Sequence, residues 1–278
     1  MPRSINISGH LLSLEQPLVM GILNVTPDSF YEGSRVDQLE QILAAGRNMM
    51  NEGAAILDLG GYSSRPGADD ISLEEEIRRV IEPIRQLKST IPDAVISIDT
   101  FRHKVAEAAV EAGASIVNDI SGGHLDPGMY DFIASNRTPY VAMHMIGTPQ
   151  NMTSQNLYDD LHMDIVNYFA DIIDKLSSLG TPDVIIDPGF GFAKNPDQSF
   201  RLLDRLELFR ILERPMLVGL SRKSMIYKTL GTNPEDALNG TTALNALALY
   251  KGADILRVHD VKPAAEAAQL IAKMREKN

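Results

Sequence analysis

Short apolar runs recur eight times along the chain, and each run stops on a polar or charged residue. The runs are rich in Val, Ile and Leu and lack a polar face, which is typical of parallel strands covered on both sides. The segments between them have apolar positions at helical spacing. The pattern therefore predicts eight strands that alternate with helices. The strands are expected at residues 18–24, 55–60, 95–100, 115–119, 140–144, 184–188, 216–221 and 255–259.

This alternation predicts a closed barrel. An open doubly wound sheet would show the same alternation, but eight units without a long break favour closure. We therefore predict an α/β fold of the (β/α)8 TIM-barrel type, as a single domain over residues 1–278. Residues 5–14 predict a short N-terminal β-hairpin that closes the barrel bottom. The clearest helical segments are 72–89, 103–112, 157–178, 197–212, 234–249 and 263–276.

The residues that end the eight runs are candidates for a functional site. In a closed barrel the carboxyl ends of all strands converge on one rim, where the active sites of these barrels lie. We therefore expect the eight side chains to surround one space, although no specific role follows for Asp58 or His144. The eight residues are Asn24, Asp58, Asp99, Asn118, His144, Asp187, Ser221 and His259.

Composition narrows the classes of function. The chain has no cysteine, which excludes disulfides, thiolate metal sites and cysteine nucleophiles. Its formal net charge of −11 argues against nucleic acid as a partner, because phosphate backbones bind clustered Lys and Arg. No apolar run approaches the ~20 residues of a membrane helix, and the first residues lack the pattern of a secretion signal. We therefore expect a cytoplasmic protein with small-molecule substrates and no membrane partner.

Asp99, Asn118 and Asp187 end three predicted strands and have no obvious basic neighbour in the sequence. Two carboxylates and an amide suit a ligand with a flat edge of several N–H donors, because carboxylates pair well with such an edge. A carboxylate metal site is a second interpretation. Helix capping is a third for Asp99 and Asn118, because each of them precedes a helical segment.

Positive charge gathers in the last two loops of this acidic chain, at Lys223, Arg257 and His259. Loops seven and eight often form the phosphate site of TIM barrels, and the small residues and cations of 219–224 suit an anion at a helix start. A solvated arginine and a core histidine are the alternative. Asn24 adds a neutral oxygen that suits Mg²⁺ bound together with phosphate and water, with a capped surface turn as the alternative.

Glycine-rich loops follow the second and sixth predicted strands. Arg65, in the loop 60–68, offers a planar cationic fork for a carboxylate or phosphate, and a turn with a solvated arginine is the alternative. Phe190 and Phe192 lie in the loop 187–194, where core packing is a poor explanation for aromatic residues. We therefore expect both rings to lie beside a ligand.

Seven motifs, in order and at the predicted strand ends, resemble those of the dihydropteroate synthase family over nearly the full length of the chain. They lie at residues 20–30, 64–67, 98–100, 117–119, 187–192, 221–224 and 257–259. The resemblance implies a folate-pathway transferase that joins 6-hydroxymethyl-7,8-dihydropterin diphosphate to 4-aminobenzoate. The products would be 7,8-dihydropteroate and diphosphate, formed by a dissociative mechanism. The resemblance also implies Mg²⁺ as cofactor, a homodimer and binding of sulfonamides.

The resemblance further implies roles for individual residues. The pterin would be bound by Asp99, Asn118, Asp187 and Lys223. The diphosphate would be bound by Asn24, Arg257 and His259, and Asn24 would also be a ligand of the metal. The 4-aminobenzoate would be surrounded by Ser64, Arg65, Pro66, Phe192, Lys223 and Ser224. The catalytic residues would be Lys223, Arg65, Arg257 and Asp99.

Residues of the first and second loops depart from the pattern of this family. Tyr62 and Ser64 stand where the second loop commonly carries Glu and Thr, and Glu32 stands where the first loop commonly carries Asp. The loss of the methyl group at Ser64 predicts altered packing against 4-aminobenzoate and its sulfonamide analogues. The loss of the acid at Tyr62 removes the carboxylate from any ion pair expected at that position.

Other functions compete with this interpretation. A pterin-binding methyltransferase would share the acids, but Arg257, His259 and the 64–67 loop argue against it. The intact Asn24, Arg65 and Lys223 argue against a catalytically silent pterin-binding relative. An unrelated phosphate-binding barrel such as an aldolase would need a Schiff-base lysine inside a strand, and no predicted strand contains one.

Overall fold

The computed structural model describes residues 4–7, 9–25, 35–63, 70–152, 155–181 and 183–275. The chain begins with an antiparallel hairpin of β1 (Ser4–Ile7) and β2 (His10–Ser13). The turn between them places Gly9 at a φ of 93°, in the left-handed region that favours glycine. The side-chain oxygen of Asn6 accepts a hydrogen bond from the Gly9 amide at 2.8 Å, which stabilises this turn.

Eight parallel strands form the barrel. They are β3 (Leu18–Asn24), β4 (Ile56–Gly60), β5 (Val95–Asp99), β6 (Ile116–Asp119), β7 (Tyr140–Met143), β8 (Val184–Asp187), β9 (Leu217–Val218) and β10 (Ile255–Val258). Hydrogen-bonded neighbours follow the order β8-β7-β6-β5-β4-β3-β10-β9. A parallel bridge between Ile186 and Met216 links the two end strands. The predicted TIM barrel with its N-terminal hairpin is therefore confirmed.

Helices cover the outside of the barrel. They are α1 (Arg35–Asn51), α2 (Leu73–Thr90), α3 (His103–Ala112), α4 (Met129–Asn136), α5 (Leu161–Ser178), α6 (Pro196–Asp204), α7 (Ser224–Leu230), α8 (Leu238–Tyr250) and α9 (Val261–Arg275), with a 3₁₀ helix at Leu206–Leu212. Within the parts of the chain that the structure describes, no helix has the length and apolarity needed to cross a membrane.

Local backbone geometry explains where element boundaries differ from the predicted ones. The predicted helix 197–212 is broken at Arg205, whose φ of −121° is not helical. The helix predicted from residue 157 begins only at Leu161, because the side chain of Asp160 caps the amides of His162 and Met163. The strand predicted at 216–221 is limited to Leu217–Val218, and the chain turns at residues 221–222, where Arg222 has a φ of 55°.

The barrel interior changes from apolar to polar along the strands. At the bottom, the hairpin residues Ile5 and Ile7 pack with inward-facing strand residues, including Ile56, Ile116 and Ile255. Side chains on one face of a strand recur every second residue, so the next inward positions lie above this apolar layer. Those positions carry Asp58, Asn118, Asp187 and Arg257. The hairpin thus closes the bottom of the barrel, and the polar residues lie towards its open end.

Candidate active site

A buried ion-pair network lies inside the carboxyl end of the barrel. Oδ2 of Asp58 accepts hydrogen bonds from Nδ2 of Asn118 at 3.0 Å and from Nε of Arg257 at 2.6 Å. Nη2 of Arg257 donates to Oδ2 of Asp99 at 2.6 Å. The acids have no basic neighbour in the sequence, but the fold supplies one, because Arg257 approaches them from β10. Neither Asp99 nor Asn118 caps the helix that follows it, since Arg102 and Gly128 are the N-cap residues of α3 and α4.

Burial and neighbouring charges determine the electrostatics of this network. Burial raises the pKa of Asp99 to about 7, the guanidinium of Arg257 opposes this rise, and the carboxylate of Asp58 adds to it. Burial alone would lower the pKa of Arg257, but the charges of Asp58 and Asp99 outweigh it and raise that pKa. Arg257 therefore carries its charge throughout, whereas Asp99 titrates near neutrality and can exchange partners.

Asp187 lies across the barrel from this network, at the end of β8. Its side chain is buried, and Oδ1 accepts a hydrogen bond from the Gly189 amide at 2.8 Å. Burial raises the pKa of Asp187, and the ammonium group of Lys223 opposes the rise. Gly189 has a φ of 69°, and a Cβ there would lie 2.2 Å from the carbonyl oxygen of His144. The turn after Asp187 therefore requires glycine.

Lys223 lies at the start of α7 and reaches back over the loop that follows β8. Its ammonium group donates to the carbonyl of Phe190 and lies 4.8 Å from the ring centroid of Phe192. Burial lowers the pKa of Lys223 to about 8, and the carboxylate of Asp187 opposes this shift. Gly219 leaves room beside it, since a Cβ there would lie 4.0 Å from the Lys223 ammonium and 3.9 Å from Cβ of Arg257.

The two phenylalanines of this loop differ in position. The ring of Phe192 is partly exposed and lies beside Lys223. Phe190 is fully buried in the main apolar core, so its predicted place beside a ligand was wrong. Ser224 is the first residue of α7 and therefore lies at a helix start, as expected.

The predicted diphosphate residues lie on neighbouring strands. Asn24 ends β3, and its Oδ1 lies 3.9 Å from the position that a Cβ on Gly60 would occupy, with Asp99 Oδ2 at 3.7 Å from the same point. Nδ1 of His259 lies 3.0 Å from Oγ of Ser221, which also accepts a hydrogen bond from the His259 amide at 3.2 Å. Ser221 thus orients the imidazole of His259 at the rim.

The oxygen atoms available as ligands at the rim determine which metal ion the site suits. Among the described residues, no group of three or more His, Cys, Asp or Glu side chains is placed to bind a metal. Asn24 provides one neutral oxygen at the end of β3. Mg²⁺ in enzymes usually has one or two protein ligands and takes its other oxygens from phosphate and water. The residues present therefore fit an Mg²⁺ that binds together with a diphosphate.

Several predicted site residues lie outside the described residues. These are Ser64, Arg65 and Pro66 of the second loop, together with Glu32 of the first loop. Tyr62 is described, and its hydroxyl accepts a hydrogen bond from Nε2 of Gln150 at 2.9 Å. The tyrosine that replaces the usual acid therefore binds a neutral side chain from another loop.

The structure also adds residues for which the sequence predicted no role. Asp58 is fully buried at the centre of the ion-pair network. Lys194 is buried behind the β8 loop, and its ammonium lies 2.8 Å from Nδ1 of His144 and donates to the carbonyls of Gly189 at 3.1 Å and Phe192 at 3.0 Å. The sequence marked Asp58 as a charged residue near the end of a predicted strand but gave it no role, whereas Lys194 had no such signal.

Comparisons with known proteins agree on one family. A family model described as pterin binding enzyme matches residues 20–259. The dihydropteroate synthase of Escherichia coli (strain K12) is 40% identical over 265 residues, which are 95% of this chain and 93% of that protein. A Yersinia pestis dihydropteroate synthase with a sulfonamide drug complex has a TM-score of 0.92 at 38% identity, covering 98% of this chain and 99% of that one. A Xanthomonas albilineans dihydropteroate synthase with 4-aminobenzoic acid has a TM-score of 0.91 at 38% identity, covering 99% of both chains.

Proposed function

Because this chain belongs to the dihydropteroate synthase family of pterin-binding enzymes, we propose that it condenses 6-hydroxymethyl-7,8-dihydropterin diphosphate with 4-aminobenzoate. The products are 7,8-dihydropteroate and diphosphate, and the reaction belongs to folate biosynthesis. The observation that carries the proposal is the juxtaposition of acceptors and cations at the barrel mouth. Asp187 faces Lys223 there, while Asp99 and Asn118 lie beside Arg257.

The pterin ring suits the acidic side of this site. Its amino-pyrimidinone edge presents several N–H donors and one carbonyl oxygen. We propose that Asp99, Asn118 and Asp187 bind the donors, because carboxylates and an amide oxygen are the matching acceptors. The ammonium of Lys223 binds the carbonyl oxygen. Each of these side chains lies at or near the carboxyl end of a different strand, so the ring would be bound from several sides.

The diphosphate suits the opposite side of the mouth. We propose that Arg257 and His259, on and just after β10, bind its oxygens and that Asn24 binds Mg²⁺ together with it. The metal, when bound, neutralises charge on the leaving diphosphate. The Arg257 guanidinium has several N–H donors, so it can bind phosphate without leaving every protein acceptor.

The 4-aminobenzoate would bind next to the pterin. Phe192 offers an aromatic face, Lys223 a nearby cation, and the start of α7 at Ser224 backbone N–H groups that suit a carboxylate. The predicted contributions of Ser64, Arg65 and Pro66 are part of the same proposal. Sulfonamides, one of which is bound in the Yersinia pestis relative, would compete at this position.

We propose a dissociative route for the reaction. The bond between the pterin methylene carbon and the diphosphate oxygen breaks first, and the diphosphate leaves with the electron pair. The amine of 4-aminobenzoate then attacks the methylene carbon of the pterin-stabilised cation and loses a proton. The residues of this chain contribute by binding, orienting and neutralising charge, and no side chain is needed as a covalent nucleophile.

We also propose a homodimer and a cytoplasmic location. Large apolar side chains are exposed on neighbouring helices away from the barrel mouth, including Leu247 and Tyr250 of α8 and Leu270 and Met274 of α9. Such a patch is typical of an interface between protein chains. Sedimentation of wild type and Tyr250→Asp would test it, with loss of the dimer expected in the variant and an unchanged mass contradicting it. The location follows from the substrate, because a diphosphate ester does not cross a bilayer and is consumed where it is made.

A product assay tests the activity. Purified protein with both substrates and Mg²⁺ should release diphosphate and form dihydropteroate in equal amounts, and omission of 4-aminobenzoate should abolish the second product. Lys223→Ala should lose most activity while its circular dichroism spectrum stays the same. Lys228→Ala is the matched control, since Lys228 is an exposed lysine at the far end of the same helix. No product from wild type would contradict the proposed function.

A further inference from the structure

We propose that Asp58 is a positioning residue that keeps Arg257 and Asn118 in place while Arg257 exchanges Asp99 for substrate. The proposal rests on the proposed function and deepens it. It concerns a carboxylate that does not touch the substrate itself. Asp58 acts through two residues that do.

The position of Asp58 in the barrel supports this role. In the order of strands, β4 lies two strands from β10 on one side and two strands from β6 on the other. One oxygen of Asp58 accepts from Arg257 on β10 and from Asn118 on β6. Asp58 therefore connects side chains across five consecutive strands. The direct pair of Arg257 with Asp99 on β5 spans four of these strands, and Asp58 extends the connection to β6.

The two carboxylates that bind Arg257 differ in exposure. The side chain of Asp58 is 0% exposed, whereas that of Asp99 is 17% exposed and that of Arg257 is 22% exposed. Asp58 therefore binds the inner side of the guanidinium, through Nε, and Asp99 binds an outer nitrogen, Nη2. Substrate that enters from the mouth reaches the outer contact first.

The outer contact conflicts with substrate binding. Oδ2 of Asp99 is one of the acceptors that the pterin donors need, and it is paired with Arg257 Nη2 in this structure. We infer that a pterin donor takes this oxygen in place of Nη2, which frees Nη2 for the diphosphate. A guanidinium left without a partner in a buried site is costly. The second hydrogen bond, from Nε to Asp58, keeps Arg257 paired and oriented during the exchange.

The variant Asp58→Asn tests the negative charge of this side chain, because it removes the charge and nearly keeps the shape. Asparagine is nearly isosteric and can still accept both hydrogen bonds, but it does not neutralise Arg257. Steady-state kinetics should show KM for dihydropterin diphosphate raised by about tenfold or more, with KM for 4-aminobenzoate changed by less than about twofold. A merely structural role would instead lower the amount of active enzyme, without this split between substrates.

Glu76→Gln is the matched control. Glu76 is another fully buried carboxylate that binds an arginine, with Arg102 Nη1 at 2.9 Å and Thr100 Oγ1 at 2.7 Å. The variant Glu76→Gln measures the effect on the kinetics of removing a buried carboxylate that does not contact Arg257. Glu76→Gln should leave both KM values within about twofold of wild type. If Asp58→Asn matches Glu76→Gln, the inference is overturned while the proposed function stands. If wild type forms no dihydropteroate, the proposed function fails instead.

A measurement on wild type covers the case in which Asp58→Asn does not fold. The Nε–H resonance of Arg257, assigned with Arg257→Lys, can be followed by NMR during titration with dihydropteroate. We expect this resonance to stay protected from exchange with solvent in both states, because its bond to Asp58 persists. Loss of protection on binding would show that Asp58 releases Arg257, and would overturn the inference.

Discussion

The ammonium group of Lys194 lies 2.8 Å from Nδ1 of His144, and both side chains are buried between the ends of β7 and β8. Lys194 also donates to the carbonyls of Gly189 and Phe192, so all its donors have acceptors. It thereby fixes the loop that carries Phe192 and contacts Lys223. Burial lowers the pKa of Lys194 well below its usual value, the carboxylate of Asp187 opposes this shift, and the ammonium of Lys223 adds to it.

Lys194→Met should destabilise the protein, because two carbonyls and an imidazole nitrogen would lose their donor in a buried place. We expect a loss of about 2 to 4 kcal/mol in the free energy of unfolding. Urea unfolding measures it as a lower midpoint at an unchanged m-value. Lys104→Met is the control, because Lys104 is 56% exposed and pairs only with a surface acid. Equal midpoints for the two variants would contradict the prediction.

His144 should make stability depend on pH. Burial lowers the pKa of His144 well below its usual value, with Lys194 adding to the effect. The unfolded chain therefore binds a proton on His144 at a pH where the native protein does not. The contribution of His144 to the free energy of unfolding is fully present above about pH 6.5 and decreases as the pH is lowered. The slope from this group is at most about 1.4 kcal/mol per pH unit. His144→Asn retains an acceptor for Lys194 but cannot titrate, and urea unfolding between pH 6.5 and 5 should show a flatter dependence. The same slope in both proteins would exclude His144 as the source.

The rate should depend on pH through Asp99 and Lys223. Burial raises the pKa of Asp99 to about 7, so its acceptor form is lost as the pH falls below that value. Burial lowers the pKa of Lys223 to about 8, so its ammonium is lost as the pH rises above that value. We expect kcat/KM for dihydropterin diphosphate to be greatest between the two, since this ratio reports groups of the free enzyme. Lys223→Arg stays charged and should lack the alkaline fall. An alkaline fall at the same pH in that variant would show that another group causes it.

Gly189→Ala should damage the site far more than an equivalent change elsewhere. A Cβ at Gly189 would lie 2.2 Å from the His144 carbonyl, whereas one at Gly180 would meet nothing within 4 Å, and both glycines have φ near 70° to 80°. Gly180→Ala should therefore cost only the backbone penalty, about 1 to 2 kcal/mol. Gly189→Ala should cost more and also lower activity, because it displaces the turn bonded to Asp187. Matching urea midpoints would contradict this explanation.

The sequence predicted the fold and most of the rim because both depend on local patterns. Buried parallel strands are apolar throughout, and their polar ends mark the carboxyl edge, so the strand ends at Asn24, Asp99, Asn118 and Asp187 could be located within a residue. The contacts across the barrel could not be predicted. Arg257 and Asp58 are 199 residues apart, and their meeting depends on strand order and register.

Loop residues were predicted less well, because the alternation of a strand does not continue into a turn. Phe190 and Phe192 are two residues apart, yet Phe190 enters the core and Phe192 lies beside Lys223. Gly189, Gly191 and Ala193 adopt left-handed conformations, so this turn does not keep the alternation of a strand. The same turn buries Lys194, and no apolar pattern in the sequence predicts that burial.

The most direct test of the central claim is a crystal structure of this protein with dihydropteroate. We expect the amino-pyrimidinone edge of the pterin within hydrogen-bond distance of Asp99, Asn118 and Asp187. We also expect Arg257 to have left Asp99 while its Nε remains on Asp58. A pterin bound elsewhere, with the pair of Arg257 and Asp99 intact, would contradict the account.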